Sequence, residues 1–266
     1  MTDFITMLKA TNPIVMTVAN TITSGDVANG LNAIGASPIM PSAPEEAEAM
    51  VNIAQGVTIN VGSINQEQFR QSQLTCDAAN SQGKPLVLDP VAVASSPYRS
   101  QVVDTLLGDY NFSAIRGNVG EIAFLAGVAW DTHGIDAGGD EVDFEQLTTI
   151  VKTCAQKYHT IVIMTGEIDY ISDGKTVKSV PYGTPAFATH VGTGDLLSSL
   201  VAAFLAVAPT DEYLEAAYQA ALTFALCGQK VNDKLPGQWF NGLLNELYLV
   251  SNDKINRWEK EELHHG

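Results

Sequence analysis

Positive charge is scarce in this chain. Fourteen Lys and Arg stand against thirty Asp and Glu, a formal net charge of −16. A surface of that sign repels phosphate backbones and anionic lipid, so neither nucleic acid nor membrane is expected as a partner. Cysteine is scarcer still. Cys76, Cys154 and Cys227 are odd in number and form no C-x-x-C pair. That argues against a disulfide framework or a zinc site and suits a reducing cytosol. No H-E-x-x-H pattern occurs, and His264 and His265 at the tail read as solvated. No uninterrupted apolar run approaches the ~18 residues of a membrane span. The N-terminus has no basic region followed by an apolar run, so no signal peptide is expected. A cytoplasmic location is the expectation. Repeats, low-complexity tracts and linkers are also lacking.

What is present suits one large α/β domain covering residues 1–266. A chain of this length buries roughly three quarters of its unfolded surface. Short apolar strands are expected at 14–19, 37–40, 57–61, 85–88, 114–115 and 160–164. Helical stretches alternate with them, at 26–35, from Pro44 to about Gln55, and at 66–81, 97–107, 122–126 and 144–158. Asp173-Gly174 between two short runs signals a hairpin. Thr210 is expected to cap a helix whose Leu214, Ala217, Tyr218, Ala221, Leu222, Ala225 and Leu226 form one buried face. One or two further helices are expected over 236–258, and the Gly- and Asp-rich stretch 131–141 reads as a loop. The alternation predicts an α/β fold: a mostly parallel central sheet with helices on both faces.

The chemistry concentrates at Gly192-Thr193-Gly194-Asp195, just ahead of an apolar helix over 196–207 that is interrupted only by Ser198 and Ser199. Two glycines let a ligand approach bare backbone. Free N–H groups at a helix start carry about half a positive charge and attract phosphate. An Asp in that first turn is either an ordinary dipole partner or a base aimed at a hydroxyl beside an anion hole. Ligands of open α/β sheets bind beyond the carboxyl ends of the strands. Six polar or flexible residues fall there: Asn20, Met40, Gly62, Asp89, Arg116 and Thr165. Arg116 is the expected lone cation of this rim, suited to phosphate. Asn118-x-x-Glu121 brings an amide and a carboxylate to one helical turn, where Glu121 could hold a water of Mg²⁺.

These motifs resemble the ribokinase-like superfamily. The narrower pattern is similar to the hydroxyethylthiazole kinases: Asn20, 26–31, Gly35-Ala36-Ser37-Pro38-Ile39-Met40, Ala43-Pro44-Glu45-Glu46, Asn60-Val61-Gly62, Leu88-Asp89-Pro90-Val91 and Ile115-Arg116-Gly117-Asn118. The resemblance implies ATP-dependent phosphorylation of the primary alcohol of 4-methyl-5-(2-hydroxyethyl)thiazole in thiamin salvage. It implies Arg116, Thr165 and Gly194 at ATP, Met40 and Gly192 at the thiazole with Asn20 and Gly62 nearby, and Glu121 and Asp89 serving Mg²⁺ through water. Asp195 would be the base, and the assembly a homotrimer with sites between subunits. Asp195 stands where this family usually carries Cys, though Asp is usual in the superfamily. Met16 replaces the family's usual His, Gly25 its usual Asn, and Ala92 and Ala94 its usual glycines. Three alternatives stay open on sequence: a hydroxymethylpyrimidine kinase, a dehydratase of nicotinamide hydrates, and a nucleotide-binding regulatory protein without turnover.

Overall fold

A computed structural model describes residues 2–130, 144–232 and 235–265, without the side chains of the last three. The expected loop at 131–141 and the tail side chains of His264 and His265 lie outside the described residues. An eight-stranded sheet runs in the order β2-β1-β3-β4-β5-β6-β7-β8. Its strands are β1 Ile14–Val18, β2 Ser37–Ile39, β3 Gly56–Asn60, β4 Leu86–Asp89, β5 Ala114–Asn118, β6 Ile161–Thr165, β7 Asp169–Ser172 and β8 Val177–Val180. The first six pair in parallel. The hairpin β7–β8 closes one edge antiparallel, with Gly174 at φ +86 in its turn.

Helices cover both faces, as the alternating pattern requires. On one face lie α1 Phe4–Thr11, α2 Ser24–Ile34, α8 Thr193–Val207, α9 Tyr213–Gln229, α10 Pro236–Leu249 and α11 Asn252–His265. On the other lie α3 Ala47–Ile53, α4 Gln66–Ser81, α5 Pro97–Asp109, α6 Val119–Ala126 and α7 Phe144–Tyr158. Each face has its own apolar core, centred on residues such as Leu31, Phe204 and Trp239 on the first and Ile59, Leu88 and Ile115 on the second. Among the described residues no helix is long and apolar enough to cross a membrane.

Three expectations need correction. Thr210 is not a cap: it opens a 3₁₀ turn, Thr210–Glu212, whose N-cap is Pro209 and which makes no side-chain cap bond. Pro209 has no N–H and a fixed φ, so the chain turns there before α9 begins. The buried set of α9 is not one face. From Ala216 to Gly228 nearly every residue is buried, Tyr218 excepted, while Leu214 is only partly covered. The helix is enclosed by α8, α10 and the β6–β8 edge, and its small Ala residues allow that close packing. Finally, Arg116 does not follow β5 but is its third residue, paired in register with Ile163 of β6.

Candidate active site

Strand side chains alternate between the two faces of a sheet. Apolar residues mark which face is which. Met16 and Val18 face the α3–α7 core, so Thr17 faces α8; Val57 and Ile59 do likewise, so Thr58 and Asn60 face α8. By the same count Asp89, Arg116 and Thr165 point to the α8 side. The polar strand residues therefore form one row under α8, and its carboxyl-end members meet the N-terminus of that helix.

Helix α8 starts at Gly192, its N-cap, which has φ +97 and is open only to glycine at low cost. Thr193 donates its hydroxyl to the Phe187 carbonyl at 3.1 Å, fixing the approach. Gly194 is needed for a different reason. A Cβ there would lie 2.3 Å from Nη1 of Arg116, so the guanidinium rests against bare backbone in the first turn of α8. Arg116 donates from Nη2 to Thr165 Oγ1 at 2.7 Å and sits 3.8 Å from Asp89 Oδ2, while its Nε is buried without a partner among the described residues.

Asp89 is fully buried at the end of β4. Ser198 of α8 donates to its Oδ2 at 2.7 Å, and its Oδ1 has no partner among the described residues. Burial pushes its carboxyl up to about 7; Arg116 opposes this, Asp195 reinforces it, the Ser198 bond opposes it and Glu121 reinforces it. Asp89 thus lies within electrostatic reach of Arg116, Asp195 and Glu121. Asp195 is the third residue of α8, and Thr23 donates to its Oδ2 at 2.5 Å.

Glu121 is tied by two backbone N–H groups. Its Oε2 accepts from Asn118 at 2.9 Å within a capping box, and its Oε1 accepts from Ala92 at 2.8 Å. Ala92 stands at φ +57, a left-handed position that favours glycine. No group of three or more His, Cys, Asp or Glu forms a ready metal cage among the described residues. Asp89, with an unpartnered buried oxygen among the described residues, and Glu121 are the few oxygen donors that suit Mg²⁺.

Met40 is some way from this cluster, on a cavity of about 530 Å³ lined also by Ala19, Thr21, Ser24, Gly25 and Gln71. Asn20 and Gly62 meet each other beside it: a Cβ on Gly62 would lie 2.6 Å from Asn20 Nδ2. Gly192 reaches the same loop, because a Cβ there would lie 2.6 Å from Thr23 Cγ2. Residues 20–24 therefore join the cavity to the N-terminus of α8, and every expected site residue falls on one end of the sheet.

The rim holds groups the motifs do not announce. Arg116 is not its only cation: Arg99 of α5 donates to the carbonyls of Val61, Gly62 and Val91 at 2.6, 2.7 and 3.1 Å, clamping the loops after β3 and β4. Nothing in the sequence around Arg99 signals this. Ser198 is signalled, as a polar residue inside an apolar helix. Thr23 is signalled only by its position at the start of α2.

A parallel sheet that brings an arginine, three carboxylates and a glycine-rich helix start to one rim, beside a small-molecule cavity, defines an α/β phosphotransferase. The same fold is seen in a ribokinase-like superfamily protein from Enterococcus faecalis, with a TM-score of 0.61 at 14% identity over 94% of this chain and 89% of that one. The hydroxyethylthiazole kinase family model matches residues 5–253. A hydroxyethylthiazole kinase from Limosilactobacillus fermentum is 50% identical over 97% of this chain and all (100%) of its own. The structure of hydroxyethylthiazole kinase from Pyrococcus horikoshii OT3 superposes with a TM-score of 0.85 at 30% identity, covering 95% of this chain and 94% of that one. The chain belongs to the hydroxyethylthiazole kinase family.

Proposed function

We propose that the chain transfers the γ-phosphoryl group of ATP to the primary alcohol of 4-methyl-5-(2-hydroxyethyl)thiazole, as a single-domain thiamin-salvage kinase of the cytoplasm. The observation that carries this reading is the start of α8: its first turn holds Asp195 and the bare backbone of Gly194, against which the guanidinium of Arg116 rests. The cavity beside Met40 takes the thiazole, and Asn20, Gly62 and Gly192 hold the 20–24 loop that borders it. Arg116, Thr165 and the N–H groups around Gly194 bind the phosphates of ATP. Asp89 and Glu121 would hold Mg²⁺ through water, and its chemistry would be to offset negative charge on those phosphates. The active assembly is a homotrimer with the acceptor site completed between subunits.

An alcohol is about as weak an acid as water, with a pKa of about 15.7. Asp195 therefore does not remove the proton in advance. It orients the hydroxyl and accepts the proton late, as the new O–P bond forms and the bond to ADP breaks. Arg116 and the α8 N–H groups stabilise charge on the moving phosphoryl group.

The test is coupled ATP turnover with Mg²⁺ and the thiazole alcohol, with hydroxymethylpyrimidine run alongside. Turnover of the thiazole alcohol alone is expected. Turnover of the pyrimidine alone would overturn the substrate assignment. Asp195→Asn should lower kcat by roughly 10²–10⁴-fold with little change in ATP affinity. An unchanged kcat would remove Asp195 as the base.

A further inference from the structure

We infer that Thr23 is the positioning residue for the Asp195 carboxylate: its hydroxyl anchors one carboxylate oxygen so that the other faces the acceptor alcohol. This rests on the reading of Asp195 as the base. Thr23 Oγ1 lies 2.5 Å from Asp195 Oδ2, and among the described residues this is the one hydrogen bond that the carboxylate makes. The two residues are 172 positions apart in the chain.

The local structure around Thr23 is organised for this contact and not for its own helix. Thr23 is the N-cap of α2, yet its side chain makes no cap bond. A capping Thr ordinarily accepts an N–H from the first turn, an interaction worth about 1 kcal/mol. Here the residue is buried, 2% exposed, and the hydroxyl donates to Asp195 of α8 instead of serving α2. The loop that carries Thr23 is held from three sides. Asn20 Oδ1 accepts from Ile22 N–H at 3.0 Å, Asn20 O accepts from Thr23 N–H at 3.2 Å, and Thr21 N–H donates to Ser63 Oγ at 3.1 Å. On the far side Gly192 makes the space. Any Cβ there would sit 2.6–2.7 Å from the methyl and Cβ of Thr23.

A carboxylate at the third position of a helix rotates freely about its last bond, because such torsions are broad. Anchoring Oδ2 removes that freedom. In the transfer, the acceptor oxygen bonds to the γ-phosphorus, the bond from that phosphorus to the ADP oxygen breaks, and the alcohol proton passes to Asp195 Oδ1. Thr23 keeps its own proton throughout, so it touches neither substrate nor reacting atom and acts only through Asp195.

The experiment compares Thr23→Val and Thr23→Ser, each in the native and the Asp195→Asn background, by steady-state kinetics with ATP and the thiazole alcohol and by thermal melting. Val keeps the shape and loses the hydroxyl. It should lower kcat about 10- to 100-fold, the usual effect of losing such a supporting contact, with both KM values within about threefold of native. Ser keeps the hydroxyl and should recover most of kcat. In the Asp195→Asn background the Val substitution should cost less than about twofold more, because the residue it acts through is gone. A native kcat for Thr23→Val, or an equal loss in both backgrounds, overturns the inference. So does a parallel loss of kcat and melting temperature in Val and Ser alike, which marks a packing role. If Asp195→Asn itself keeps native kcat, the base assignment fails first, an outcome distinct from an impaired Asp195→Asn with an unaffected Thr23→Val.

Discussion

Gly194 and Arg116 form one unit, and the glycine is the half that can be tested without touching charge. The first turn of α8 tolerates alanine well on helix propensity, where Ala is better than Gly by about 1 kcal/mol. The obstacle is the guanidinium, 2.3 Å from where the new methyl would stand. It is the far end of a flexible side chain, so it moves and the fold survives. Gly194→Ala is therefore expected to melt within a few degrees of native, while the KM for ATP rises on the order of 10- to 100-fold, the worth of a charged hydrogen bond. Isothermal titration with a non-hydrolysable ATP analogue checks it; native affinity would detach Arg116 from the phosphates. A second residue carries a pH dependence. Burial pushes the Asp169 carboxyl up to about 6, although the Gly166 N–H and Arg116 oppose it. An unfolded Asp titrates near about 3.9. Between these values the folded chain binds more protons than the unfolded one, so the stability Asp169 contributes is full below about pH 4 and is lost as pH rises toward 6. Asp169→Asn removes this slope and keeps an acceptor for Gly166. The difference in melting temperature should move in favour of the variant from pH 4 to pH 7, and a flat difference would remove Asp169 from that window.

The elements were legible where period and punctuation agreed. Helix α4 lies where its pattern puts it, with Asn65 as cap, and α2 stops at Gly35 in the left-handed conformation. Helix α1 was not read from the sequence, although Asp3 caps it by accepting from Thr6 N–H: its buried set is only Phe4, Ile5 and Leu8, too short a run to announce a period. The polar row under α8 was written as period-two breaks in the strands: Thr17, Thr58, Asn60, Asp89, Arg116 and Thr165. Reading those strands as simply apolar hid the face on which the site is built. The ends of strands were less clear, because the parallel ladder carries β5 through Arg116 and Gly117 to Asn118, where composition suggests a loop. Helix α8 lies so close to β3 that backbone meets backbone. A Cβ on Gly56 would stand 2.6 Å from the Ala202 carbonyl oxygen, and no side-chain rotation relieves that. Gly56→Ala should destabilise the fold by about 1–3 kcal/mol through overpacking, read as a lower denaturation midpoint. A neutral result would show that α8 can slide on the sheet, and Asp195 with it.

At the scale of the molecule, two facts pull against each other. Each chain carries a net charge of −16, so bringing copies together is opposed by like charge. Yet Ile22 and Val191, next in sequence to Thr23 and Gly192, are 80% and 73% exposed, which leaves apolar surface at the mouth of the site. The proposed homotrimer reconciles them if apolar contact at the site mouth drives assembly and salt screens the repulsion, whose reach is about 8 Å at physiological ionic strength. Ile22→Asp then acts twice, removing apolar area and adding charge of the sign already in excess. Sedimentation velocity should show a shift from trimer toward monomer at a given concentration, partly reversed by added salt, with a higher KM for the thiazole alcohol. Salt that dissociates the native assembly would mean that ion pairs hold it. An Ile22→Asp enzyme with native sedimentation and native KM would put the contact between subunits on another face, leaving the acceptor site complete within one chain.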